Sequence, residues 1–237
     1  MRWRRSLGLM VVIKNNRIRN IIKILIPFVL IPAAVVVGVF VFDDRSYAFI
    51  SLVVALLSVL LFVAGFEKRR TGTGRMAIVT IMVALTVTGR FVPYFKPVVA
   101  LTVITGIYLG GEAGFLVGAM AAVISNFYFG QGPWTPFQML AWGMIGLVAG
   151  FMGEVLKKGR IPLAVYGFFS GLFFSFVMDV WTVLWYNKTM DWNLYVEALV
   201  TAIPFTAIYV ISNVFYLMIL KKPIGGKLER ICLKYRL

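Results

Sequence analysis

Histidine is absent from all 237 residues, and cysteine occurs once, at Cys232. The first absence removes imidazole acid–base chemistry and histidine metal sites, and the second removes any disulfide within the chain. Acidic residues are also scarce, 9 against 24 lysines and arginines. There is no Walker sequence, no glycine-rich nucleotide loop, no HExxH and no Cys/His ligand set, so no metal, no resident cofactor and no catalytic residue is expected. Glu112 and Glu154 stand apart in sequence, and nothing pairs them for carboxylate chemistry. No proton-relay or sodium-site pattern is present either. A chain so equipped is not expected to power transport alone.

What the sequence has is apolar length. Hydrophobic residues make up 61%, with mean hydropathy +0.91, against about half in a soluble domain. Apolar segments run over 24–42, 46–66, 76–94, 98–110, 113–129, 135–156, 162–186 and 195–220. No alternating ten-residue strand pattern occurs, and a lipid-embedded backbone must satisfy its own hydrogen bonds, so the fold is expected to be all-α and membrane-integral. The first segment follows a basic flank and has no small-residue cleavage pattern after Phe42, so it is read as a retained span. Segment 98–110 is short for a perpendicular span and is expected to be tilted, sunk or partly crossing.

The net charge of +15 would suggest nucleic acid in a soluble protein. Here it follows topology. With the N-terminus inside, segments 1–23, 67–75, 157–161 and 221–237 carry 7, 4, 3 and 6 basic residues, and the outside holds only Arg45, Arg90, Lys96 and Lys188. Basic loops stay cytoplasmic, which places both termini inside, and they attract anionic inner-leaflet lipid rather than nucleic acid. The expected location is the cell membrane, with multiple passes.

Small residues recur every fourth position at Gly114, Gly118 and Ala122, at Gly146 and Gly150, and at Gly167, Gly171 and Ser175. Such ladders let helices approach closely in lipid, and internal packing is their expected use. Ala84, Thr88 and Gly89 form a similar group that suits a partner helix or an internal one, with internal packing favoured by sequence alone. Asn213 is read as glue between helices.

The polar and aromatic residues gather toward the outside. Arg90, Lys96, Gln131, Trp134, Gln138, Asp179, Trp181, Trp185, Tyr186 and Trp192 fall in the outer third, with Asn126 and Trp142 deeper. Five of the six tryptophans are there, the sixth being Trp3. An aromatic belt would populate both interfaces, so this asymmetry points to a cavity whose flat walls and amides grip a polar ligand. Trp134, Gln138 and Trp142, at i, i+4 and i+8, are expected on one helix face. Asp179 is expected to face the interior and to pair with Arg90 or Lys96. In "GQGPWTP", Gly130 and Gly132 permit unusual angles, Pro136 sits in the first turn of a helix, and Thr135 is its candidate cap.

From Met76 onward the chain resembles the substrate-binding S components of energy-coupling factor (ECF) vitamin transporters. The resemblance lies in a span ending "ALTVTGRF", then "KPVVALTVITGIYLGGEAGFLVGAMAAVISNFYFGQGPWTPFQMLAWGMIGLVAG", whose last block is most like members assigned to cobalamin or a precursor. It implies a six-helix bundle over about 76–220 that captures a vitamin outside, docks on a transmembrane T subunit coupled to two cytoplasmic ATPase subunits, and topples to deliver it. It implies no enzymatic activity. The corresponding division is 1–66, a basic segment with two extra transmembrane helices; 67–220, the six-helix unit; and 221–237, a basic cytoplasmic tail. Docking through an Ala-xxx-Ala pair maps onto Ala84 and Thr88, beside Gly89. Ligand contacts map onto Arg90, Lys96, Asn126, Gln131, Trp134, Gln138, Trp142, Asp179, Trp181 and Trp185. Flavin, thiamine-precursor and queuosine-precursor ligands suit the same side chains. A membrane enzyme using Asp179 and the glutamates, or an assembly factor, are the readings from other classes.

Overall fold

The computed structural model describes residues 15–41, 47–65 and 72–235, and every regular element among them is helical. Trp3, Arg45 and the basic residues of 1–14 and 66–71 lie outside the described residues. Helix α1 (Asn16–Leu25) is capped by the Asn15 side chain, which accepts from Arg17 and Ile18 N–H. It continues through a π-helical turn (Ile26–Leu30) into α2 (Ile31–Val41). Pro27 in that turn has no N–H to offer its own helix, and the widened turn absorbs the loss. A second π turn, Lys221–Gly225, holds Pro223.

The remaining helices are α3 (Tyr47–Ala64), α4 (Gly72–Gly89), α5 (Val98–Leu109), α6 (Gly111–Phe129), α7 (Trp134–Phe151), α8 (Gly153–Lys158), α9 (Arg160–Asn187), α10 (Trp192–Leu220) and α11 (Gly226–Tyr235). Each apolar segment of the sequence thus contains one long helix. Five helical stretches are long and apolar enough to cross a membrane: 16–39, 47–64, 111–129, 160–187 and 192–235. Their outward faces are apolar, with Phe168, Phe169, Phe205 and Ile211 among many exposed large hydrophobics.

Helix α5 occupies the centre. Residues 98 to 107 are all buried, walled by α4, α6, α7 and α10. Its 12 residues rise about 18 Å, well short of a hydrocarbon core of about 30 Å. Its apolar character serves the protein interior rather than lipid, which is why it is short.

The glycine ladders are internal seams, as expected. A Cβ on Gly114 would stand 2.5 Å from the Gly146 carbonyl oxygen and 2.8 Å from Gly106 Cα, so α5, α6 and α7 meet backbone to backbone. Gly171 meets Val210 in the same way where α9 packs antiparallel on α10. The exception is α4. Ala84 and Thr88 are exposed, with Thr88 Oγ1 donating only to the Ala84 carbonyl at 2.9 Å. The expectation that they pack internally is therefore corrected: that face of α4 has no described neighbour. Gly89 does not share it, being buried with a notional Cβ 2.7 Å from Pro97 Cγ.

The two ends of the bundle differ. At one end Lys23 pairs with Glu112 at 2.7 Å, tying α1 to α6, and Arg75 Nη2 donates to the Leu109 carbonyl at 2.5 Å. There Lys221 Nζ donates to the carbonyls of Leu156, Lys157 and Gly159, which closes the negative end of α8. The other end carries the loops 90–97, 130–133 and 188–191.

Candidate functional site

The second end is organised around Arg90, the residue after α4. Its Nη1 donates to Ser125 Oγ and Asn126 Oδ1, both at 2.5 Å. The guanidinium lies 4.9 Å from the Phe129 ring centroid and 5.2 Å from that of Trp142, a placement in which the ring quadrupoles stabilise the cation. Asn126, fully buried on α6, passes the connection on. Its Nδ2 donates to Thr135 Oγ1 at 2.8 Å and to Gln138 Oε1 at 3.0 Å. Thr135 Oγ1 donates to Gln131 Oε1 at 3.1 Å, and Gln131 Nε2 donates to the Val123 carbonyl at 2.8 Å. The Asn126 amide thus has its acceptor and both donor hydrogens engaged, which fixes its orientation.

Trp142 is the inner wall. Its Nε1 donates to Tyr209 Oη at 2.7 Å, and Phe174 stacks on it at 5.4 Å with 12° between the planes. Lys96, just before α5, places Nζ 5.7 Å from the Phe129 centroid. Burial pulls both cations below their ordinary values: Arg90 to about 10, still charged at neutral pH, and Lys96 with a further push from the Arg90 charge.

Of the residues expected to line one cavity, Arg90, Asn126, Gln131, Gln138 and Trp142 do come together, with Lys96 beside them. Trp134, Trp181 and Trp185 do not. Eight residues along an α-helix turn through about 80° beyond two full turns, so Trp134 and Trp142 diverge. Trp134 meets Trp181 edge to face at 5.7 Å, and Trp181 stacks on Trp185 at 6.2 Å. Trp181 and Trp185, with Pro133 and Phe137, line a crevice of about 40 Å³ against Val35, Gly38, Tyr47 and Ile50 of α2 and α3. Those indoles seat the N-terminal hairpin.

Asp179 belongs to neither cluster. It is 7% exposed, shares a hydrogen bond with Ser175 and faces Tyr195, while its Oδ2 has no partner. The expected ion pair with Arg90 or Lys96 is corrected: Arg90 is held by neutral oxygens of α6, and Asp179 lies in the α9–α10 seam, where Ser175 and Thr206 hydroxyls are 2.5 Å apart. Thr135 is not a cap either. The N-cap of α7 is Pro133, with no side-chain bond, and the Thr135 hydroxyl is spent on the amide network. Asn213 is fully buried with both amide atoms unpartnered, so it glues no helices among the described residues.

Sequence reasoning missed Ser125, Phe129, Phe174 and Tyr209. Ser125 carried a signal in its place beside Asn126. Tyr209 carried one too, as a polar-tipped ring four residues before Asn213 inside an apolar run.

Residues 70–223 match the family of unknown function DUF6580, and the chain belongs to that family. The match takes in every residue of the Arg90 cluster and leaves α1, α2 and α3 outside it. No curated protein and no solved structure matches the chain.

Proposed function

We propose that this DUF6580 member is the ligand-capturing S component of an ECF-type transporter, with a vitamin as its cargo and cobalamin or a cobalamin precursor favoured. In this reading the chain runs between the two faces of the cell membrane eight times, once through the short central α5, with both termini in the cytoplasm. The Arg90 end faces outward, and the basic end meets anionic lipid. A transmembrane T subunit and two ATPase subunits supply the energy that the chain has no motif to harvest.

The observation that carries the reading is the cluster of Arg90, Asn126, Gln138 and Trp142 at the end of the bundle opposite the basic loops. A soluble ligand must be recognised where water reaches: Arg90, Lys96 and Gln138 are part-exposed, with Asn126 and Trp142 buried behind them, and donors beside aromatic faces are what a large polar ring with amide edges needs. A second support is the exposed small-residue face of α4 at Ala84 and Thr88, flat enough to receive a partner helix.

The test is native mass spectrometry of the purified chain with cobalamin, riboflavin and thiamine offered in competition, alongside co-purification with a T subunit and its ATPases. Retention of one vitamin, and recovery in that complex, is the expected outcome. Failure to retain any vitamin or to enter any such complex ends the reading.

A further inference from the structure

We propose that Arg90 and Lys96 form an anion-recognising corner of this site, so that the captured ligand presents a carboxylate or phosphate to them. This rests on the reading of the Arg90 cluster as the ligand site. Toward the described residues Arg90 uses only Nη1; none of them accepts from its Nε or Nη2, and they seal neither atom from solvent. That free edge is the side of the guanidinium that takes a carboxylate or phosphate in two parallel hydrogen bonds. Among the described residues Lys96 Nζ has no hydrogen-bond acceptor, and it shares the Phe129 ring with Arg90, so two positive charges border one aromatic side chain.

Among the described residues no carboxylate pairs with either cation, and the contacts of Arg90 are a hydroxyl, an amide oxygen and two rings. Asp179 stays in the α9–α10 seam, and Asp191 is spent capping α10 through Asn193 and Leu194 N–H. Helix α5 opens directly after Lys96 and Pro97 with no acidic residue in its first turn, so its positive end adds to the same corner. Partly buried positive charge held by neutral groups is costly until an anion completes it. A ligand anion at the Nε–Nη2 edge supplies the missing charge, with Trp142 and Phe129 against its body. Thiamine, a cation, is the least compatible of the vitamins considered.

The experiment uses the full chain in nanodiscs of neutral lipid, so that no anionic headgroup fills the corner. Thermal stability is measured against benzoate, phenyl phosphate and benzamide, up to about 10 mM, since a ligand bound only by the native state raises its stability. Benzoate and phenyl phosphate share a ring with benzamide and differ in charge. The expected result is stabilisation by either anion, about tenfold or more tighter than by benzamide. That preference is lost in Arg90→Gln and reduced in Lys96→Gln, a substitution that breaks no hydrogen bond. Arg90→Lys, which keeps the charge and loses the fork, separates a folding defect from a recognition defect by retaining part of the preference. Equal response to benzamide and the anions, no response to any of the three, or an unchanged preference in both Gln variants overturns the proposal. Co-purification with a T subunit is scored separately. An anion preference without that complex leaves the corner and removes the transporter, and the converse removes only the corner.

Discussion

Asn126→Leu tests whether the amide relay holds the Arg90 end of the bundle together. Leucine has the same number and branching of side-chain heavy atoms, so the change removes the polar atoms and keeps the outline, with some added methyl bulk. The parent amide accepts from Arg90 at 2.5 Å and donates to Thr135 at 2.8 Å and Gln138 at 3.0 Å. Losing a charge-assisted bond costs about 1.5–3 kcal/mol and two neutral bonds about 1 kcal/mol each, roughly 3–5 kcal/mol gross. A leucine at a fully buried position recovers about 2 kcal/mol from apolar burial. The net loss is about 1–3 kcal/mol, or a fall in Tm of roughly 2–12 °C for a chain of this size. Asn126→Asp is the companion. It keeps an oxygen for Arg90 as an ion pair but forfeits both donors, so its Tm falls by less. It also neutralises the corner from within, so anion binding falls more steeply than stability does. Thermal unfolding in one detergent, followed by tryptophan fluorescence, reads all three proteins. A Leu variant as stable as the parent refutes the relay. An Asp variant that loses stability without losing anion affinity refutes the separation of scaffold from charge.

Four further outcomes are expected. Gly114→Ala lowers thermal stability by about 1–3 kcal/mol because its methyl meets the Gly146 and Gly106 backbones, whereas Gly226→Ala, with nothing within 4 Å, is neutral or slightly stabilising; equal melting temperatures remove the seam. Ala84→Leu blocks co-purification with a T subunit and leaves ligand retention intact, and an unchanged complex moves docking to another helix. Gln138→Ala lowers ligand affinity, while Trp134→Ala spares it and loosens α2 and α3, read by protease susceptibility of the hairpin; the reverse pattern returns Trp134 to the ligand site. Finally, the Lys96 pKa is depressed below its ordinary 10.5 by burial and by Arg90, the charged group beside it. Proton loss therefore begins below that pH in the folded state, so anion affinity falls as pH rises through the folded pKa while stability of the empty protein rises over the same window; Lys96→Gln removes the Lys96 share of both profiles and leaves the share of Arg90, itself lowered to about 10, and profiles unchanged by Lys96→Gln remove Lys96 from the corner.

The helices were legible in the sequence because lipid-facing and core-facing helices alike must be apolar, and runs of apolar residues mark both. The seams were legible because glycine every fourth position has few other uses at a helix crossing. The short run 98–110 was seen but not its cause, since a central helix and a tilted span have the same composition. The site was half legible. Residue type drew attention to Arg90, Asn126 and Gln138, but not to their mutual bonds, which join positions 36 and 12 apart. Charge logic pointed Asp179, a carboxylate inside an apolar span, at Arg90 or Lys96. Neutral oxygens won because α6 ends beside α4, whereas Asp179 turns into the α9–α10 seam. Thr135 stood at the right place for a cap, and a competing acceptor role for its hydroxyl is invisible without the fold.

The same asymmetry of indoles that first marked the outer end turns out to serve two surfaces. Trp142 joins Arg90 and Tyr209 inside the bundle, while Trp181 and Trp185 meet α2 and α3 from outside it. Helix α3 also packs along α6 and α7, the two helices that carry Asn126, Thr135 and Gln138. A hairpin pressed on those helices resists their separation, and so supports the relay without touching it. The exposed Ala84–Thr88 face of α4 is left clear by that arrangement. Clamping on one flank and docking on another do not compete for surface, so a partner on α4 is free to bind while the hairpin stays in place.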